Sequence, residues 1–257
     1  MANPDAARHP HGGQPVLVGE VPLDSAKGGL IAIHGRGAGA EDIFALAREV
    51  APSGVTILAP QAAGNTWYPF RFLEPTERNE PYLSSALRIV ADLIARLGEQ
   101  GIPSERVALL GFSQGACLVL EAAARHAQLY AGVIGFSGGL IGPPGTSFAF
   151  PGSLEGTPVF IGSSDVDPHI PKERVEESAA ALRRLGAAVD VRLYAGMGHT
   201  VNRDELEAAR TMLNEAFGTK VMGGGVAGCQ GNGESFFLAS CDRERSEPSP
   251  YHHERSE

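Results

Sequence analysis

The chain is expected to fold as an α/β protein with a mostly parallel central sheet and helices on both faces. Three observations predict this. Short apolar runs alternate with amphipathic stretches along most of the sequence, the pattern of repeated strand–helix units. The 257 residues are 43% apolar, enough to bury one large α/β core without a second domain. A Gly-x-Ser-x-Gly motif also sits between an apolar run and a helical pattern, as Gly111-Phe112-Ser113-Gln114-Gly115.

Taken in order, strands are expected near 16–21, 29–34, 55–60, 107–112, 131–136, 158–162 and 189–194. Helices are expected near 40–50, 82–98, 114–126, 172–185 and 203–217. In the second helix Leu83, Ala86, Leu87, Val90, Leu93, Ile94 and Leu97 recur at three- and four-residue spacing. They form one apolar face, so this helix is a packing element. Gly98 and Gly101 end it. Residues 1–14 are expected to be loose, and 15–218 to form the folded domain. Residues 219–257 include Gly223-Gly224-Gly225 and two copies of Glu-Arg-Ser-Glu, at 244–247 and 254–257. This tail lacks a sustained period and is expected to be disordered and dispensable for catalysis, with Ser235-Phe236-Phe237-Leu238-Ala239 as its apolar patch.

A net charge of −9 argues against a nucleic-acid partner, because phosphate contacts need clustered Lys and Arg. No run reaches the length of a membrane span. The first ten residues contain no apolar signal region. Cys117, Cys229 and Cys241 are widely spaced and odd in number, so no disulfide framework is expected and the cytoplasm is the expected compartment. The expected assembly is a monomer or homodimer.

The motif region carries the chemistry. A strand ending at Ser113 and a helix starting there make a tight turn that exposes the serine Oγ. The free N–H groups and dipole of the new helix favour negative charge at that point. A serine hydroxyl needs a base to become nucleophilic. His199 lies on the glycine-rich loop Ala195-Gly196-Met197-Gly198 after the strand 189–194, and is the expected base. The acid is expected from the loop after the strand 158–162, where Asp165 and Asp167 compete. A metal site built from Asp165, Asp167 and His169 is disfavoured, because no further ligand cluster accompanies it. The strand 29–34 runs into His34-Gly35-Arg36-Gly37. The backbone N–H groups of Arg36 and Gln114 are the expected oxyanion-hole donors, and His34 is read as a brace for the loop rather than a second base.

Four segments, His34-Gly35-Arg36-Gly37, Gly111-Phe112-Ser113-Gln114-Gly115, Asp167-Pro168-His169-Ile170-Pro171 and Gly196-Met197-Gly198-His199, together resemble the phospholipase/carboxylesterase family, over about residues 16–217. The resemblance implies an α/β-hydrolase fold with little or no lid, a Ser-Asp-His triad and no cofactor. It also implies activity on esters or thioesters of modest acyl length. Members often carry Asp-Pro at the acid position, which points to Asp167. The stretch 162–167 is two residues longer than in many members, which keeps Asp165 as an alternative.

The long segment 61–82 holds Trp67, Tyr68, Phe70 and Phe72 and leaves the C-terminal edge of a strand, where sites lie in such folds. Trp67, Tyr68 and Phe70 are expected to wall a substrate pocket, with Leu140 opposite. No large insertion offers a lid. The expected function is a serine carboxylesterase acting on a small-molecule ester of short to medium chain. An acyl-protein thioesterase or lysophospholipase-like activity is the alternative, and a catalytically silent binding module a distant one.

Overall fold

Apolar runs with alternating sides dictate the sheet. In Gly28–Ile33, Leu30 and Ala32 face one side and Ile31 and Ile33 the other, and all four are buried. Val107–Phe112 divides the same way, as period-two geometry requires of a strand covered on both faces. The computed structural model describes residues 9–218. It contains seven strands: β1 (Val16–Val18), β2 (Gly28–Ile33), β3 (Val55–Pro60), β4 (Val107–Phe112), β5 (Gly132–Phe136), β6 (Pro158–Ser164) and β7 (Ala188–Tyr194). Their order is β1-β3-β2-β4-β5-β6-β7, and β1 alone pairs antiparallel.

Five helices cover the sheet: α1 (Ala40–Val50), α2 (Tyr82–Glu99), α3 (Gln114–Arg125), α4 (Lys172–Arg184) and α5 (Arg203–Ala216). The buried faces of α2, α3 and α4 pack with Ile31, Leu109 and Ile161 in one core layer, while α1 and α5 pack with Leu30, Leu110 and Phe160 in the other. The apolar stripe expected on the second helix is the buried face of α2, from Leu83 to Leu97. β1 is shorter than the expected 16–21, since after Val18 only the Gly19 N–H still bonds β3, at Ile57 O.

The expectation of a loose N-terminus fails for residues 9–14. His11 is fully buried and its backbone N–H donates to Ser85 Oγ, while His9 Nδ1 lies 2.7 Å from the same oxygen. An imidazole that both donates and accepts can replace its hydration shell with protein partners, and that is what ties this segment down. The readings made for residues 1–8 and for the tail from 219 onward, including Phe236, Phe237, Cys229 and Cys241, lie outside the described residues.

Parallel pairing brings four strand ends together. Ile33 pairs with Gly111, Phe112 with Phe136, and Ser164 with Tyr194. The loops after β2, β4, β6 and β7 therefore leave one edge of the sheet, and these loops carry His34, Ser113, Asp167 and His199.

Candidate active site

Ser113 is the turn between β4 and α3. Its φ of 54° and ψ of −116° lie in a region that costs a non-glycine residue energy. The strain is held by packing on both sides. The Ser113 N–H donates to Phe136 O, and Ser113 O accepts from the Cys117 N–H. The motif glycines make the turn possible. A Cβ on Gly111 would collide with Gly115 O, and one on Gly115 with Ile33 O. The helix therefore starts against the backbone of β2, with Ser113 at its amino end, where unpaired N–H groups favour negative charge.

His199 reaches this serine from the β7–α5 connection. Its Nε2 lies 2.8 Å from Ser113 Oγ and its Nδ1 2.7 Å from Asp167 Oδ2. The carboxylate accepts from Nδ1–H, which leaves Nε2 as the acceptor for the serine hydroxyl. The other carboxylate oxygen, Asp167 Oδ1, accepts from the N–H groups of His169 and Ile170 at 2.8 and 3.0 Å. Burial works to raise the Asp167 carboxyl. The hydrogen bond and charge of His199 and the two backbone donors outweigh it, so the group stays below its ordinary value and ionised. Asp165 does different work: it is exposed, and its Oδ1 accepts from the Gly196 N–H at 2.8 Å. It ties down the loop that carries His199 without touching the imidazole. The His169 ring packs edge-on to His199, with centroids 4.9 Å apart, and Phe112 lies against the same imidazole at 5.0 Å.

The loop after β2 lies directly on the serine: a Cβ on Gly35 would stand 3.5 Å from Ser113 Cβ. His34 is buried. Its Nδ1–H donates to Gly35 O and its Nε2 accepts from the Ala62 N–H, so it is a neutral brace. Burial pushes its pKa down, in keeping with that role. The side chains of Arg36 and Gln114 both reach the segment 67–70, a contact the sequence reading missed. Long polar side chains beside a serine motif carry no pattern that names their partners.

The expected aromatic pocket is corrected. Trp67 and Tyr68 are 0% and 1% exposed, and Leu140 is 0%. The Trp67 indole N–H donates to His34 O, so the ring is drawn under the loop into the core. Leu140 is fixed by its N–H to Ser178 Oγ and its carbonyl to Arg174 Nη1. Only Phe70 of the four expected residues is exposed, with the Arg78 guanidinium 4.3 Å above its ring. A cavity of about 310 Å³ does exist, lined by Glu121, Arg125, Ile141, Phe148 and Phe150 among others, but Ser113, Asp167 and His199 do not line it. Among the described residues there is no cluster of three metal-ligating side chains, and no helix is long and apolar enough to cross a membrane.

The profile of the Phospholipase/Carboxylesterase family matches residues 20–217. A phospholipase/carboxylesterase from Dyadobacter fermentans is 40% identical and superposes with a TM-score of 0.75, over 78% of this chain and 96% of that one. An acyl-protein thioesterase 1 of Gibberella zeae is 32% identical over 130 residues, 48% of this chain and 54% of its own length. The chain thus spans about half the length of the curated relatives it matches. A Bacillus cereus carboxylesterase, 18% identical, shares the fold with a TM-score of 0.63, over 83% of this chain and 100% of that one. With its parallel sheet, its serine turn and a family match covering nearly all the described residues, the chain belongs to the phospholipase/carboxylesterase family.

Proposed function

We propose that the chain is a serine carboxylic-ester hydrolase for short- to medium-chain esters. The carrying observation is the unbroken hydrogen-bonded line from Ser113 Oγ through His199 to the buried carboxylate of Asp167. In this reading Ser113 Oγ attacks the ester carbonyl carbon as His199 Nε2 takes its proton. The backbone N–H groups of Arg36 and Gln114 hold the oxyanion. The carbon–oxygen bond to the leaving group then breaks, and His199 returns the proton to the departing alcohol. Water enters, gives its proton to His199 and attacks the acyl-enzyme. The acid leaves and Ser113 regains its proton. Asp167 stays ionised throughout and stabilises the imidazolium.

Acyl-protein thioesterase activity is the second reading, favoured by the relatives that carry that name. The same groups would perform it. Two measurements decide. Ser113→Ala should lose nearly all turnover and all fluorophosphonate labelling, and retained turnover above a few per cent removes the nucleophile assignment. Comparing kcat/KM for p-nitrophenyl esters from C2 to C16 with an S-acylated peptide separates the two readings. A maximum at C12 or beyond, or a clear preference for the thioester, favours the second.

A further inference from the structure

An oxyanion hole assembled from two elements has a positioning problem. In the proposed site one N–H belongs to the loop after β2 and the other opens α3. Both must aim at one oxygen within a fraction of an ångström to act. The segment 67–70 bridges them. The Trp67 N–H donates to Gln114 Oε1, and Gln114 Nε2 donates to Tyr68 O, both at 2.8 Å. Arg36 Nη2 donates to Tyr68 O at 2.9 Å and to Phe70 O at 2.8 Å, and its Nη1 to Pro69 O at 2.9 Å. The Trp67 indole N–H donates to His34 O. Tyr68 O is therefore a shared acceptor for both side chains.

We propose that Arg36 and Gln114 are positioning residues, whose side chains clamp segment 67–70 so that their own backbone N–H groups converge on the oxyanion. The inference deepens the hydrolase reading and rests on it. A guanidinium is suited to the task. Its planar donors can serve three carbonyls at once, which an ammonium on a flexible stem cannot do in the same geometry. The Gln114 amide both donates and accepts, so it reads the backbone of two successive residues. The segment is in turn anchored from below by His11, whose Nε2–H donates to Trp67 O.

A clamp that only supported the fold would change melting temperature and leave the chemistry alone. The positioning role makes a different demand. Substrate binding should survive, while stabilisation of the tetrahedral species falls. The test measures kcat and KM on p-nitrophenyl butyrate, affinity for a phenylboronic acid that forms a tetrahedral serine adduct, and melting temperature. The proteins are wild type, Arg36→Met, Arg36→Lys, Gln114→Met and the double variant Arg36→Met/Gln114→Met. Expected is a ten- to hundredfold fall in kcat for each Met variant, with KM within about twofold and boronate affinity falling in parallel with kcat. Arg36→Lys should recover only part of the loss, and it keeps the test available where Arg36→Met does not fold. Because the two side chains share one brace, the double variant should lose far less than the product of the single losses. Unchanged kcat with a lowered melting temperature, or losses that multiply, overturns the clamp. A wild type inert toward every ester and unlabelled by fluorophosphonate overturns the hydrolase reading and the clamp with it. An active wild type with indifferent variants overturns the clamp alone.

Discussion

Two aspartates two positions apart show how much a single residue's surroundings decide. The Asp167 carboxylate is enclosed, accepts three hydrogen bonds, and is held ionised against His199. Asp165 is exposed and spends its carboxylate on the Gly196 N–H. Asp167→Asn should therefore lower kcat by roughly 10³–10⁴, because an amide supports the wrong imidazole tautomer. Asp165→Asn, whose amide oxygen still accepts from Gly196, should stay within severalfold of wild type, and the reverse ranking in steady-state assays would exchange the two roles. That Ser113, His199 and Asp167 would meet at one edge of the sheet was legible, because the proposed chemistry requires those residue types at strand ends. Trp67 shows where legibility stops. A cluster of aromatics has the same composition whether it walls a pocket or fills a core, and it was the hydrogen bond from the indole to His34 O that turned the ring inward. Trp67→Ala should accordingly cost about 3–5 kcal/mol of stability, the usual result of emptying a large buried site. Urea unfolding would show this. An unchanged midpoint with an altered acyl-chain preference would restore the pocket reading.

At the scale of elements, the segment after β3 is held by two buried histidines. His11 donates from Nε2 to Trp67 O and accepts at Nδ1 from the Ala63 N–H. His34 donates from Nδ1 to Gly35 O and accepts at Nε2 from the Ala62 N–H. Each ring thus has one nitrogen that must stay unprotonated. Burial pushes both pKa values below the ordinary 6.5. A depressed folded-state pKa means that the unfolded chain takes up protons first as the solution is acidified. The stabilisation is complete above about pH 6.5 and drains away as pH falls from there toward the folded-state values. A His11→Gln/His34→Asn double variant should be less stable at pH 8 and flatter between pH 7 and 5 than wild type. Parallel unfolding curves across that range would remove the two rings from the pH dependence. The sheet elements were legible from their apolar runs to within a residue or two at most ends. The docking of residues 9–14 was not, because its signal is one histidine with partners more than fifty residues away.

Across the whole molecule a second buried group opposes the histidines. Glu205 closes the N-terminal cap of α5: its Oε2 accepts from the Asn202 N–H, and Asn202 Oδ1 accepts from the Glu205 N–H. The side chain is fully buried over Gly162 of β6, and Oε1 has no hydrogen-bond partner among the described residues. Burial, helped by the nearby charge of Asp204 and opposed by the Asn202 donor, pushes its pKa up to about 7. The sign is therefore opposite to that of the histidines. A raised folded-state pKa contributes stability that is complete below the carboxyl's ordinary value near 4.5 and is lost as pH rises through about 7. Acid removes the support of His11 and His34 while alkali exposes the cost of an ionised Glu205. Between about pH 4.5 and 6.5 the two effects oppose one another, so Glu205 offsets part of what the histidines contribute as pH rises, and well above pH 7 neither changes the stability further. Glu205→Gln isolates this contribution. An amide oxygen in place of Oε2 preserves the cap, and the side chain no longer ionises. Relative to wild type the variant should gain stability progressively from pH 4.5 to 7, reaching a plateau gain on the order of 3 kcal/mol above it, as a shift of this size implies. Urea titrations at half-unit pH steps would measure it. A difference between the two proteins that stayed constant from about pH 4 to 9 would mean that Glu205 binds its proton equally in the folded and unfolded chains, and would remove the raised pKa and the pH dependence assigned to it.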